Sequence, residues 1–264
     1  MSVPAPIPAF DERGAGDTAV VMLHGVGGGR GAWAGQLDAF AAAGYRAVAW
    51  DAPGYGDTPA IEPYDMAGLA RSLEVLLDAL AAPRAVLLGH SMGGLLAQEA
   101  AVAFPGKIAG LVLSATSPAF GRSDGTWQQD FLRQRLGPLD AGKTMADLAP
   151  TLVGGLVGPA PDPAGVRLAT EIMSRVSGET YRKALHAIVG FDRRAALGAL
   201  RFPVLAVAGE RDATAPPAMM EKMAQKIPGA EYALLPGCGH LANLERPRAF
   251  DDAVLGWLAR RFPH

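Results

Sequence analysis

Six short stretches of this chain are dominated by apolar residues with little polar alternation: residues 18–23, 45–50, 85–88, 108–113, 202–208 and 230–235. A strand covered by helices reads that way, because both of its faces are buried. Between the stretches, apolar positions recur at helical spacing. Over residues 65–80 the positions Leu69, Leu73, Leu76, Leu77 and Leu80 share one face. Further helices are predicted near 32–43, 94–104, 217–227 and 247–262; one stops before Pro105 and another opens at Pro216-Pro217. Alternating strand and helix implies an α/β architecture, a mostly parallel doubly wound sheet with right-handed crossovers. Residues 1–17, rich in Pro, Gly and charge, leave room for at most one short edge strand.

The alternation breaks at Ser117-Pro118. Residues 117–198 contain no convincing strand and divide into four helices near 126–136, 143–153, 163–174 and 178–190. They carry large apolar side chains, among them Trp127, Phe131, Leu136, Met145, Leu152, Met173 and Ile188. A long helical insertion between strands is expected to form a lid domain over the strand ends, residues 117–198, with its apolar residues walling a pocket. The core domain is then made of residues 1–116 and 199–264.

Composition narrows the partners. The 264 residues are 50% hydrophobic and 19% charged, with a formal net charge of −2 and no basic run. Nucleic acid and anionic membranes are therefore not expected as partners. No apolar run approaches the ~20 residues of a membrane span, and Met1-Ser2-Val3-Pro4-Ala5-Pro6 does not read as a secretion signal. The single cysteine, Cys238, excludes an internal disulfide and fits a reducing compartment, so the expected location is cytoplasmic.

The chemistry gathers where predicted strands end. Gly89-His90-Ser91-Met92-Gly93 lies between a buried strand and a helix, so Ser91 sits on a sharp turn. Its hydroxyl projects from the sheet edge beside the unpaired N–H groups of a helix N-terminus. A serine hydroxyl needs a base within reach, and the base needs a partner that fixes its tautomer. Of five histidines, His24 lies in the loop after the first buried strand, His90 inside the turn, His186 on the lid and His264 at the end. His240 follows a strand on a glycine-flanked loop and is the candidate base. Asp212, after the strand at 202–208, is the favoured acid, with Glu210 as fallback. Asp51 is expected to hold its own turn, and Cys238 to be a small buried thiol. The loop His24-Gly25-Val26-Gly27-Gly28-Gly29 has the spacing G-x-G-x-G, which differs from the dinucleotide fingerprint. It is expected to face the same cavity as Ser91.

Together, His24-Gly25, Asp51-Ala52-Pro53-Gly54-Tyr55-Gly56, Gly89-His90-Ser91-Met92-Gly93-Gly94, Gly209-Glu210-Arg211-Asp212 and Gly237-Cys238-Gly239-His240 resemble the α/β-hydrolase superfamily, in particular its small lidded serine hydrolases. The resemblance covers residues 18–262 and keeps the family order nucleophile, acid, histidine. It implies an α/β-hydrolase fold with the lid inserted after the sixth strand. Residues 1–17 are hard to fit to the family's leading antiparallel hairpin, so one strand fewer is expected at that edge. By the resemblance, Ser91, Asp212 and His240 are catalytic and the backbone N–H groups of Val26 and Met92 form the oxyanion hole. Gly25, His90 and Trp127 are the expected substrate contacts. Neither metal nor cofactor is expected. The implied partner is a small apolar ester or lactone, acted on by a monomer or homodimer. The implied activity is hydrolysis of a small-to-medium carboxylic ester. Alternatives are a lactone or enol-lactone, carbon–carbon cleavage of a ring-fission diketone, a cofactor-free perhydrolase, and a ligand receptor without turnover. Arg122, Arg175, Arg193 and Arg194, in or near the lid, are expected to be solvated, or else to receive a substrate carboxylate.

Overall fold

The computed structural model describes residues 6–82, 84–121 and 125–263. The chain enters through β1 (Phe10–Arg13) and then alternates β2 (Ala19–Leu23), α1 (Ala34–Ala42), β3 (Arg46–Trp50), α2 (Met66–Ala79), β4 (Ala85–His90), α3 (Met92–Ala103) and β5 (Ile108–Ser114). Four helices follow without a strand: α4 (Thr126–Asp140), α5 (Met145–Gly154), α6 (Pro163–Arg175) and α7 (Gly178–Ile188). The alternation resumes with β6 (Val204–Gly209), α8 (Pro217–Gln225), β7 (Glu231–Leu235), the one-turn α9 (Ala242–Glu245) and α10 (Pro247–Arg261).

The strand order is β1-β3-β2-β4-β5-β6-β7, with β1 antiparallel to β3 and every other pair parallel. Every residue of β2, β4 and β6 is buried, as unbroken apolar runs require of central strands. The two-residue pleat sorts their side chains. Val20, Met22, Val86 and Leu88 face Trp33, Phe40, Phe250 and Trp257 on the layer of α1 and α10. Ala19, Val21, Leu23 and Leu87 face Leu69, Leu73, Leu95 and Met220 on the layer of α2, α3 and α8.

The expected mostly parallel, helix-covered sheet is therefore present. One detail is corrected. The helical insertion follows the fifth strand in chain order, not the sixth. Among the described residues the N-terminal segment supplies a single strand, β1, where a leading hairpin would have supplied two. Three of the insertion's four helices start at side-chain caps: Thr144 and Asp147 form a reciprocal capping box on α5, and Asp162 and Ser177 cap α6 and α7. Helix α4 runs past residue 136 to Asp140, with Pro138 inside its last turn. Among the described residues no helix is long and apolar enough to cross a membrane.

Candidate active site

Strand β4 runs straight into α3 through Ser91, whose backbone sits at φ 53°, ψ −116°. A non-glycine residue rarely adopts this conformation, which costs of order 1–3 kcal/mol and persists only where the surroundings impose it. Here they do. The Ser91 N–H donates to Ser114 O at 2.9 Å, and Ser91 O accepts from Thr116 Oγ1 at 2.8 Å and Gly94 N at 2.9 Å. The glycines on either side allow the close approach. A Cβ on Gly89 would lie 2.2 Å from Gly93 O, and one on Gly93 would lie 2.1 Å from Leu23 O.

Two backbone N–H groups are aimed by their own peptide units. In a trans peptide the C=O and N–H point in opposite directions. The Gly25 carbonyl is held by Gly28 N at 2.9 Å and by His24 Nδ1 at 2.8 Å, which turns the Val26 N–H the other way. His24 is neutral, because burial pushes its pKa down; its Nδ1–H donates to Gly25 while its Nε2 accepts from Ala52 N at 3.1 Å. On the far side of Val26, its own carbonyl accepts from the Tyr55 hydroxyl at 2.8 Å. Likewise the Ser91 carbonyl, held by Thr116 and Gly94, directs the Met92 N–H outward from the start of α3.

His240 follows β7, and its Nδ1 lies 2.8 Å from Asp212 Oδ2. Asp212 follows β6 in a tight turn, where its Oδ1 accepts from Thr214 N at 2.7 Å and Ala215 N at 2.9 Å. Its side chain is fully buried. Burial alone would push this carboxyl's pKa up, but His240 and the two backbone donors together hold it below its ordinary value. Asp212 is thus an anion that can only accept, which fixes the proton of neutral His240 on Nδ1 and leaves Nε2 as the basic nitrogen. Glu210 is exposed and accepts from Gly237 N instead. Asp51 accepts from the backbone and side chain of Arg30, so its carboxylate supports the end of the glycine loop rather than its own turn.

Ser91 and His240 line one cavity of about 950 Å³, measured out to its open mouth. Its floor is the glycine loop and the turn at Ser91. Its walls come from the insertion: Phe131 of α4, Leu152 of α5, Met173 of α6 and Leu185 of α7. Among the described residues no group of His, Cys, Asp and Glu side chains is placed to hold a metal ion.

Residues 18–247 match the family described as the alpha/beta hydrolase fold. The chain belongs to that family. The candidate carbamate hydrolase RutD of Variovorax paradoxus (strain S110) is 32% identical to it over 251 residues, covering 92% of each chain. An esterase from Thermogutta terrifontis superposes with a TM-score of 0.86 at 25% identity, over 96% of this chain and 93% of the other. The enol-lactonase of Burkholderia xenovorans LB400 superposes with a TM-score of 0.83 at 25% identity, over 95% of each.

In this family member, Gly25 and His90 line the cavity, and Trp127 does not. Trp127 sits in the first turn of α4, 38% exposed, stacked on Phe131 at 5.3 Å. Phe131 lies one turn deeper and supplies the wall. His90 is buried, with its ring centroid 4.9 Å from that of His240 and its Nδ1 unpaired among the described residues. Burial first, then the neighbouring His240, push its pKa down to about 3, so His90 stays neutral. His186 is exposed on α7, and His264 lies outside the described residues. Cys238 is fully buried, and burial followed by the nearby Glu245 charge push its pKa up to about 11.

One positioning residue carried no assigned role in the sequence. Glu245 of α9 is 2% exposed. Its Oε2 accepts from Gly158 N at 2.7 Å and Gly239 N at 2.9 Å, and its Oε1 accepts from Leu241 N at 2.9 Å. A single carboxylate thereby joins the loop after α5 to the loop carrying His240, whose own N–H donates to Leu156 O at 2.7 Å. A glutamate five positions after a histidine gives no sign of this, because the third partner comes from 87 residues away.

Proposed function

We propose that this chain is a serine hydrolase that cleaves a small-to-medium carboxylic ester through an acyl-enzyme. Ser91 is the nucleophile, His240 the base, and Asp212 the orienting acid. The observation that carries the reading is the pairing of His240 with buried Asp212 at 2.8 Å, at the rim of the apolar cavity that Ser91 also lines. His240 Nε2 takes the Ser91 proton as Oγ bonds to the substrate carbonyl carbon, and the carbonyl electron pair moves onto oxygen. The Val26 and Met92 N–H groups meet that oxyanion, each typically worth about 3 kcal/mol in such a site. The intermediate collapses, the C–O bond breaks, and His240 Nε2–H protonates the departing alkoxide. Water then repeats the sequence on the acyl-Ser91 ester, releasing the acid and restoring the serine. Asp212 stays ionised and stabilises the imidazolium in both halves.

A lactone is the second reading. It rests on the likeness to the Burkholderia xenovorans enol-lactonase and uses the same residues. Carbon–carbon cleavage, perhydrolysis and binding without turnover remain distinguishable from both by assay. The test pairs a fluorophosphonate probe with a panel of acyl esters, lactones and ring-fission diketones. The expected result is stoichiometric labelling of Ser91, sustained ester turnover, and loss of both in Ser91→Ala. Labelling that persists in Ser91→Ala overturns the nucleophile. Turnover confined to diketones overturns the ester reading, and a single burst without turnover favours a receptor.

A further inference from the structure

We propose that Arg135 makes the cavity an anion-selective site, so that the substrate carries a carboxylate remote from its scissile carbonyl. This rests on the serine-hydrolase reading for the chemistry but not for the binding. Arg135 lies on α4 and lines the cavity. Among the described residues no lysine, aspartate or glutamate and no second arginine lines it. The remaining wall is aliphatic and aromatic, with a few neutral polar groups, so a cation there lacks the counter-charge that partly buried ions ordinarily have.

Of the arginines that the sequence singles out near the insertion, the three described ones are already paired. Arg175 meets Glu171 within α6, Arg194 meets Asp192, and Arg193 meets buried Glu99 at 2.7 Å. Arg122 lies outside the described residues. Arg135 has no carboxylate partner among the described residues; the neighbouring acids on α4 are taken by Arg133 and Arg182. What holds Arg135 instead is uncharged. Its guanidinium carbon lies 5.8 Å from the Phe131 ring centroid, and it donates a hydrogen bond to the buried Tyr181 hydroxyl, drawing that phenol back from the rise that burial gives it. A ring contact and one hydrogen bond to a neutral hydroxyl leave an N–H edge of the five-donor guanidinium available. Phe131 and Tyr181 both line the cavity, so this edge belongs to the substrate's compartment. A planar fork with five donors in a poorly hydrated wall matches a carboxylate in bidentate fashion. The apolar wall between Arg135 and the glycine loop suits a short methylene chain.

The binding test is calorimetry with hexanoate and hexanamide, two ligands of equal length of which only the first carries a carboxylate. Wild-type protein is expected to bind hexanoate on the order of tenfold to a hundredfold more tightly than hexanamide. Arg135→Met should collapse that ratio, and Arg135→Lys should restore part of it because charge without the fork is retained. The turnover test compares monoethyl adipate and 6-acetoxyhexanoate with their neutral methyl esters, which places the carboxylate on the acyl or the leaving side. A preference for at least one anionic ester, lost in Arg135→Met, supports the proposal. Equal affinity for the charged and the neutral ligand, or a ratio that survives Arg135→Met, overturns it. Failure of the fluorophosphonate to label Ser91 sinks the catalytic reading and leaves the calorimetric result to decide Arg135.

Discussion

Replacing Glu245 by glutamine exchanges one carboxylate oxygen for an NH₂ group while keeping size and shape. The three N–H groups around the carboxylate belong to Gly158, Gly239 and Leu241. If the amide nitrogen replaces Oε1, the Leu241 N–H faces a donor; if it replaces Oε2, two N–H groups do. At least one charge-assisted hydrogen bond is lost in a buried setting, which costs about 1.5–3 kcal/mol. For a chain of this size that predicts a fall in melting temperature of roughly 3–12 °C. The orphaned donors flank His240 on both sides, so kcat should fall as well, by about tenfold, because small misplacements of a base are costly. The assay is thermal unfolding together with steady-state hydrolysis of p-nitrophenyl acetate. Glu210→Gln serves as the control, since Glu210 is exposed and accepts from a single backbone N–H. It should shift stability by no more than about 0.5 kcal/mol. A Glu245→Gln protein that melts within about 1 °C of wild type and turns over within twofold would refute the idea that this carboxylate is the joint between insertion and base.

Three further outcomes follow from the same geometry. Asp212→Asn keeps the shape of the turn but lets His240 adopt the wrong tautomer, so kcat should drop by about 10⁴ with little change in KM; retention of a tenth of the activity would place the orienting acid elsewhere. His90 is held neutral, with a pKa of about 3 in the folded state against 6.5 when unfolded, so the unfolded state binds the extra proton. Stability contributed by this site is complete above pH 6.5 and is lost as pH falls towards 3, with a slope of up to about 1.4 kcal/mol per pH unit. A His90→Phe variant should show a flatter stability profile across that window in denaturant titrations, and an unchanged slope would mean that the ring is not buried uncharged. Cys238, fully buried and with its pKa raised to about 11, should resist Ellman's reagent in the native protein and react at once in guanidinium.

Much of the fold was legible because its signals are local. The unbroken apolar runs of β2, β4 and β6 announce strands buried on both faces, and the leucine stripe of α2 announces its buried face. The glycines on either side of Ser91, and the strand ends at Asp212 and His240, mark where side chains can gather at one sheet edge. Trp127 shows the limit. Hydrophobicity places it in the insertion, but which turn of α4 meets the cavity depends on how four helices pack on one another.

By itself the sequence determined the alternation of strand and helix, the site of the insertion and the residue types at each strand end, since these follow from spacing and from the backbone preferences of Gly and Pro. Only the tertiary structure decided the partners. It brought Asp212, not Glu210, to His240. It joined Gly158 to the His240 loop through Glu245, and it left Arg135 facing an apolar cavity with no carboxylate partner among the described residues. Each of these is a contact between segments far apart in the chain, and no local pattern encodes which distant carboxylate or cation will arrive.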